Sequence, residues 1–209
     1  MGSLSTLKAP ALSSVTIDSC ISQLTAQNSS FTASAVTDVV LGNVISAGIG
    51  QAPARQAWKG VSGAHDAARS TTVNKVCASG MKAAMYAAQS IQLGNKGAVV
   101  AGGFESMSNV PFYLPNMRGG NKLGNATAVD GVIHDGLWDL YNNQHMGMCA
   151  EKCAADYGIS REDQDAHAIE SYRRAAAAVE GGLFKEEIAP VTIKTRRGET
   201  VVDTDEEPG

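Results

Sequence analysis

The sequence lacks long apolar runs and clusters of basic residues. No apolar run approaches the roughly 20 residues that a membrane-spanning helix needs, and no block of lysine or arginine stands out among its 17 basic residues. The net charge is −4, which is weakly acidic. Together these features argue against a membrane protein and against a partner made of nucleic acid or anionic lipid.

Cysteine is also sparse, and an export signal is missing from the expected place. The start of the chain has neither the basic segment nor the apolar segment of a secretory signal, so secretion is not expected. Four cysteines in 209 residues are too few for a disulfide scaffold, and we expect free thiols: Cys20, Cys77, Cys149 and Cys153. Cytoplasm and mitochondrion both remain open as the compartment.

What the first half of the chain does contain is an alternation of helices with buried strands. Apolar periodicity predicts helices at 9–27, 51–59 and 81–93, and strands at 36–45, 71–76 and 97–102. A strand, a helix and a strand within about 30 residues form a βαβ unit, which implies a parallel sheet. Cys20 is interpreted as a packing residue of the first helix. Three histidines are interpreted as surface residues: His65, His134 and His167.

The pattern changes after residue 107, where proline, glycine and asparagine interrupt any period. Beyond this stretch, the predicted elements are two helices and two short strands: 146–157, 161–180, 188–194 and 201–202. Ser160, with Asp163 three residues later, is expected to cap the second helix. We therefore predict a core domain at 1–107, lacking its first strand, and an incomplete loop domain at 108–209.

Cys77 is the strongest candidate for a catalytic nucleophile. It stands where a buried strand is predicted to turn into a helix, and there a thiolate meets unpaired N–H groups and the positive end of the helix dipole. Both favour the nucleophilic form of the thiol. The small residues that follow, Ala78, Ser79 and Gly80, let a substrate carbonyl approach backbone donors, as an oxyanion site requires. From the residues alone, a buried structural cysteine is the commoner case.

The segment around Cys77, Val-Asn-Lys-Val-Cys-Ala-Ser-Gly-Met-Lys-Ala, resembles the nucleophile motif of thiolases. Other thiolase-like segments follow in the family's order: Gly42-Asn-Val, Gly50-Gln-Ala-Pro-Ala-Arg-Gln, Ala101-Gly-Gly-Phe-Glu-Ser-Met-Ser-Asn, Asp135-Gly-Leu, His145-Met-Gly-Met-Cys-Ala-Glu and Gln164-Asp. The resemblance implies a layered α/β fold of the thiolase type. This chain would be its amino-terminal βαβ half, with a parallel or mixed sheet and an inserted loop domain, and without the carboxy-terminal half.

The resemblance also implies an acyltransferase reaction with coenzyme A thioesters. Cys77 would take an acetyl group from acetyl-CoA, and a second acetyl-CoA would attack that group to give acetoacetyl-CoA, a precursor for lipids and sterols. Thiolysis is the reverse reaction. A covalent intermediate predicts ping-pong kinetics. Coenzyme A enters as a substrate, and no cofactor is required.

Three further residues receive roles from the resemblance. His145 and Met146 resemble the pair that lines the acyl and pantetheine pocket of short-chain thiolases, where Met146 would exclude long chains. Without the family, His145 is better interpreted as a helix-start residue. Tyr172 matches a tyrosine at the monovalent-cation site of potassium-activated members, although a half-buried aromatic role is equally open. No other metal is predicted, because His145, Cys149 and Cys153 lack a fourth ligand.

The sequence also departs from the family. Thiolase subunits are nearly twice as long and form dimers or tetramers. Their second half carries Asn-Glu-Ala-Phe, Gly-His-Pro and Cys-x-Gly segments, which supply the groups that activate the nucleophile and move the methyl proton. None of these segments maps onto this sequence. We therefore expect this chain alone to be inactive in carbon–carbon bond formation and to expose an apolar face.

Three alternatives remain open. The first is another cysteine-dependent condensing enzyme of the same superfamily, such as a ketoacyl synthase, although the Lys-Val-Cys-Ala-Ser-Gly and His-Met-Gly segments fit thiolases better. The second is a truncated half-subunit that associates without catalysis. The third is a long-chain degradative thiolase, which His145 and Met146 oppose.

Overall fold

The computed structural model describes residues 2–95, 97–196 and 198–206. Met1 and Gly209, the outer limits of the two predicted domains, lie outside the described residues. The described chain forms two compact units that divide between Gly136 and Leu137. Compactness does not test the predicted boundary after residue 107, which stays a prediction.

The first unit is built on a three-stranded parallel sheet. Its strands are β1 (Val36–Gly42), β2 (Arg69–Val73) and β3 (Ala98–Gly103), with β1 in the centre. The predicted parallel βαβ arrangement is therefore confirmed. All three strands run the same way, so their carboxyl ends meet at one edge of the sheet, where α/β proteins commonly bind ligands.

Three helices cover the two faces of this sheet. They are α1 (Ala9–Gln27), α2 (Pro53–Lys59) and α3 (Ser79–Gln92). Helices α1 and α2 pack together, α2 also contacts β1 and β2, and α3 packs on β1 and β3. Leu41 lies in the apolar cluster with α1 and α2, whereas the next residue, Gly42, faces the start of α3. Because neighbouring strand residues point to opposite faces, α3 covers the face opposite α1 and α2.

Trp58 is the largest fully buried side chain of the first unit. Its Nε1 donates a hydrogen bond to the carbonyl of His65 at 2.9 Å, and the two rings meet edge to face. The Nε2 of His65 lies 2.9 Å from the carbonyl oxygen of Val36, and the side chain is half-buried. The prediction of a surface His65 was therefore wrong, because a single histidine in a loop carries no periodic signal of burial.

A second correction concerns Cys20, which was predicted to pack within the protein. The structure exposes this thiol on α1. The buried side chains of the helix include Ile17 and Ile21, so the apolar stripe passes beside Cys20 and not through it.

After the sheet, the first unit contains a small antiparallel pair, β4 (Phe112–Tyr113) with β5 (Val129–Asp130). A π-helical turn at Ile133–Leu137 follows. The hydroxyl of Tyr113 donates to Asp135 at 2.5 Å, and burial together with this bond raises the pKa of Tyr113 to about 12. These contacts give order to a stretch in which the sequence shows no periodicity.

The second unit is mainly helical. Its helices α4 (Met146–Tyr157) and α5 (Arg161–Glu180) agree with the sequence predictions, and Ser160 and Asp163 form the expected capping box. Its strands pair in two hairpins: β6 (Trp138–Asp139) with β7 (Gln144–His145), and β8 (Val191–Thr195) with β9 (Gly198–Val202). Across the described part of the chain, no helix combines the length and apolarity needed to cross a bilayer.

Candidate active site

Cys77 lies at the carboxyl edge of the parallel sheet. Strand β2 ends at Val73, and a short turn leads through Cys77 to Ala78, the residue that precedes the first turn of α3. The thiol is exposed. The predicted strand-to-helix position is confirmed, and the alternative of a buried structural cysteine is wrong.

The turn before Cys77 is conformationally unusual. Val76 has a φ of +50°, a left-handed value that β-branched residues rarely adopt. Its N–H donates to Oδ1 of Asn74 at 2.9 Å, and its carbonyl accepts from the buried hydroxyl of Ser79 at 2.6 Å. The same hydroxyl accepts from the N–H of Lys75 at 2.8 Å. Side-chain hydrogen bonds thus hold the turn on both sides of the strained residue.

Glycines allow the start of α3 to rest directly on the sheet. A Cβ on Gly42 would lie 2.6 Å from the carbonyl carbon of Ser79 and 2.7 Å from the nitrogen of Gly80. A Cβ on Gly103, at the end of β3, would lie 3.5 Å from the Cα of Gly80. The position of Cys77 therefore depends on backbone contact at the end of β1.

A second group of polar residues at this edge was not assigned a role from the sequence. The side chain of Asn43 is buried, and its Nδ2 donates to Oε1 of Glu105 at 2.8 Å. The backbone N–H groups of Val44 and Ile45 donate to Oε2 of the same carboxylate, at 2.9 and 3.3 Å. A usable signal was present, because Asn43 and Glu105 each follow an apolar strand whose end reaches the same sheet edge.

His145 and Met146 lie in the second unit, at the start of α4. His145 is the N-cap residue, half-buried, and its Nδ1 accepts a hydrogen bond from the N–H of Gly147 at 3.0 Å. With Nδ1 as the acceptor, the neutral ring carries its proton on Nε2 and can donate from there. Met146 is the first residue of the helix, with 40% of its surface exposed.

Tyr172 lies on α5, with 55% of its surface exposed. The nearest charges along the helix are Glu170, Arg173 and Arg174, and both arginines bond the carboxylate. The side-chain hydrogen bonds from Arg173 and Arg174 lower the pKa of Glu170 to about 2. The potassium role of Tyr172 stays a prediction.

The family model described as "Thiolase, N-terminal domain" matches residues 1–209. The chain belongs to the thiolase family. Its α/β architecture, with a parallel sheet and flanking helices, is consistent with the amino-terminal domain of a thiolase, as predicted.

Curated relatives of this thiolase chain carry similar names. It is 52% identical to acetyl-CoA acetyltransferase erg10A, mitochondrial, of Aspergillus fumigatus, over 98% of this chain and 46% of the relative. It is 50% identical to acetyl-CoA acetyltransferase 1 of Arabidopsis thaliana, over 99% of this chain and 49% of the relative. A cytosolic acetyl-CoA acetyltransferase of Gibberella zeae is 48% identical, over 97% of this chain and 49% of the relative. The chain thus spans about half the length of these relatives, and their names include two compartments.

The thiolase domain exposes large apolar side chains along α3. Only Ser79 and Ala83 of this helix are buried. Met81 is 70% exposed and Leu93 is 89% exposed, and Met85 is exposed between them. Exposed apolar surface can belong to an interaction site or a ligand groove, or can promote aggregation.

Proposed function

We propose that this chain is the nucleophile-bearing half of an acetyl-CoA C-acetyltransferase. The observation that carries the proposal is an exposed thiol, Cys77, at the start of α3 within a thiolase nucleophile motif. In the first step the sulfur attacks the thioester carbonyl of acetyl-CoA. The bond between that carbonyl and the coenzyme A sulfur breaks, and coenzyme A leaves with a proton. The acetyl group remains on Cys77.

The chain's own residues prepare this step. The helix dipole of α3 favours negative charge at its start, both on the thiolate and on the tetrahedral oxyanion. The N–H groups of Ala78 and Ser79 already donate to the carbonyls of Lys75 and Val76. The oxyanion would therefore take its donors from other backbone amides at this end of the helix.

Acetylation of Cys77 by acetyl-CoA is the first expected result. After incubation of the purified chain with acetyl-CoA, peptide mass spectrometry should find the acetyl group on Cys77. Cys20 and Cys153 are also exposed and serve as internal controls, because neither lies at a helix start. Cys77→Ala should remove the label and Cys20→Ala should leave it. Equal labelling of all three exposed thiols would refute a selective nucleophile.

The same assay addresses the remaining proposed roles. We propose that His145 and Met146 line the acyl pocket, so acetyl-CoA should label Cys77 faster than decanoyl-CoA, and Met146→Gly should reduce that difference in rate.

The potassium role of Tyr172 rests on the family resemblance alone. It predicts faster labelling in KCl than in NaCl, an effect that Tyr172→Phe removes. Identical rates under each pair of conditions would count against the corresponding role.

We further propose that the 209-residue chain alone does not complete the condensation. The second step needs a base for the methyl proton of another acetyl-CoA, and the family segments that provide it do not map onto this sequence. General acid–base help is worth roughly two to four orders of magnitude in rate. Acetoacetyl-CoA formation by the purified chain should therefore fall at least about a hundredfold below that of a full-length relative. Comparable turnover would contradict this.

Two other functions stay open as proposals. The apolar surface of α3 favours a half-subunit that associates with a further thiolase polypeptide, or with copies of itself, without catalysis. Co-purification with a full-length subunit, in the absence of Cys77 acetylation, would support that function. A condensing enzyme that uses acyl-carrier protein would instead label Cys77 from an acylated carrier and not from acetyl-CoA.

A further inference from the structure

A continuous series of hydrogen bonds joins Glu105 to the turn that presents Cys77. The carboxylate of Glu105, after β3, accepts from the N–H groups of Val44 and Ile45, after β1. The carbonyl of Val44 accepts from Nδ2 of Asn74, after β2, at 3.3 Å. Oδ1 of Asn74 then accepts from the N–H of Val76. Residues that follow all three strands are thereby tied together beside the nucleophile.

The position of this series matters because Val76 is strained. A valine at a φ of +50° persists only where surrounding contacts hold it, and one such contact is the bond to Asn74. Asn74 is itself held through Val44, whose backbone is fixed by the Glu105 carboxylate. If this hold is lost, Val76 relaxes towards extended backbone and carries Cys77 away from the start of α3.

We infer that Glu105 and Asn74 are positioning residues for Cys77. Neither needs to touch the substrate, because Glu105 acts through Val44 and Asn74, and Asn74 acts through Val76. Any effect on catalysis rests on the proposed function of Cys77. The effect on the position of the thiol does not depend on that function. Both residues keep the thiol of Cys77 close to the amino-terminal end of α3.

The test measures how fast iodoacetamide alkylates Cys77 relative to Cys20 in the same molecule, by peptide mass spectrometry. Glu105→Ala and Asn74→Ala should each lower the Cys77-to-Cys20 ratio by about fivefold, since the favourable field of the helix dipole acts only within the first helical turn.

A matched control lies at the opposite edge of the same sheet. Asn95 also makes several side-chain hydrogen bonds, including one to Asp38 and one from Thr37. Asn95→Ala should destabilise the unit without changing the Cys77-to-Cys20 ratio. Melting temperatures of all variants separate general destabilisation from a local change at Cys77. Equal ratios for Asn74→Ala and Asn95→Ala would overturn the inference.

A rescue experiment tests the role of strain directly. Glycine adopts positive φ about as readily as negative φ, so Val76→Gly removes the need to hold the turn. In that background, Asn74→Ala and Glu105→Ala should lower the alkylation ratio by less than about twofold. An undiminished fivefold fall would refute the inference. These ratios need no acetyl-CoA, so failure of Cys77 to accept an acetyl group would count against the proposed function alone.

Discussion

Replacement of Trp58 by alanine should lower the free energy of unfolding of the first unit by about 3–5 kcal/mol. The side chain is fully buried between α2 and the sheet, in the cluster that includes Val39 and Leu41. The substitution leaves a large cavity. It also removes the hydrogen bond that Nε1 of Trp58 donates to the carbonyl of His65 and leaves that carbonyl without this donor. Since small domains are stabilised by only about 5–15 kcal/mol, the unit would lose a large share of its stability.

Urea unfolding followed by circular dichroism measures this loss, and Trp138 provides the matched control. Trp138 is a partly exposed tryptophan of the second unit, so Trp138→Ala should cost far less. Trp58→Phe keeps most of the buried area and should fall between the two. If Trp58→Ala were no more harmful than Trp138→Ala, Trp58 would not occupy the centre of this core.

Substitution of Gly42 by alanine should reduce the acetylation rate of Cys77 by about a hundredfold. The new Cβ would meet the backbone of Ser79 and Gly80 at under 3 Å, and backbone atoms cannot rotate away as a flexible side chain does. The start of α3 must therefore move, and a displacement of about 1 Å at a reacting atom is enough for such a loss. Overpacking should also destabilise the unit by about 1–3 kcal/mol.

Gly102 gives a control of the same chemistry on the neighbouring strand. A Cβ there would lie no nearer than 3.9 Å to another atom, the Cδ2 of Leu41, so Gly102→Ala fits without a shift. Acetyl transfer to Cys77, timed by mass spectrometry in both variants, should separate them clearly. Equal rates would mean that the contact between β1 and α3 does not determine where the thiol lies.

The helices show how local information sufficed for much of the fold. Helix α4 has the predicted bounds, and it ends at Gly158, which adopts a left-handed conformation. Helix α5 begins at a capping box, which Ser160 and Asp163 predict from their spacing alone. Both helix-end signals depend on residues only a few positions apart in the sequence. Strand ends were less well predicted: β1 ends at Gly42, although the apolar residues Val44 and Ile45 led to a predicted end at residue 45. A strand ends where its hydrogen bonds to the neighbouring strands stop. Apolar periodicity along one segment does not contain that information.

The candidate site divides in the same way. The identity and surroundings of Cys77 could be inferred from one short motif and the strand-to-helix turn around it. For Asn43 and Glu105 the sequence offered only their positions after two apolar strands. Their hydrogen bond could not be predicted, because the two residues are far apart in sequence and meet only when β1 and β3 pair. The same holds for His65, whose partners Trp58 and Val36 come from different elements.

By itself, the sequence determined the family, the helices and the parallel character of the sheet, and it singled out Cys77 as the proposed nucleophile, since each inference depends on residue type and spacing within a short segment. Only the tertiary structure decided that the thiol is exposed, that Gly42 lies against the start of α3, and that Glu105 holds the turn through Asn74. These features arise where strands distant in sequence end at one edge. There, contacts across the sheet, and not local propensity, determine backbone positions to within an ångström.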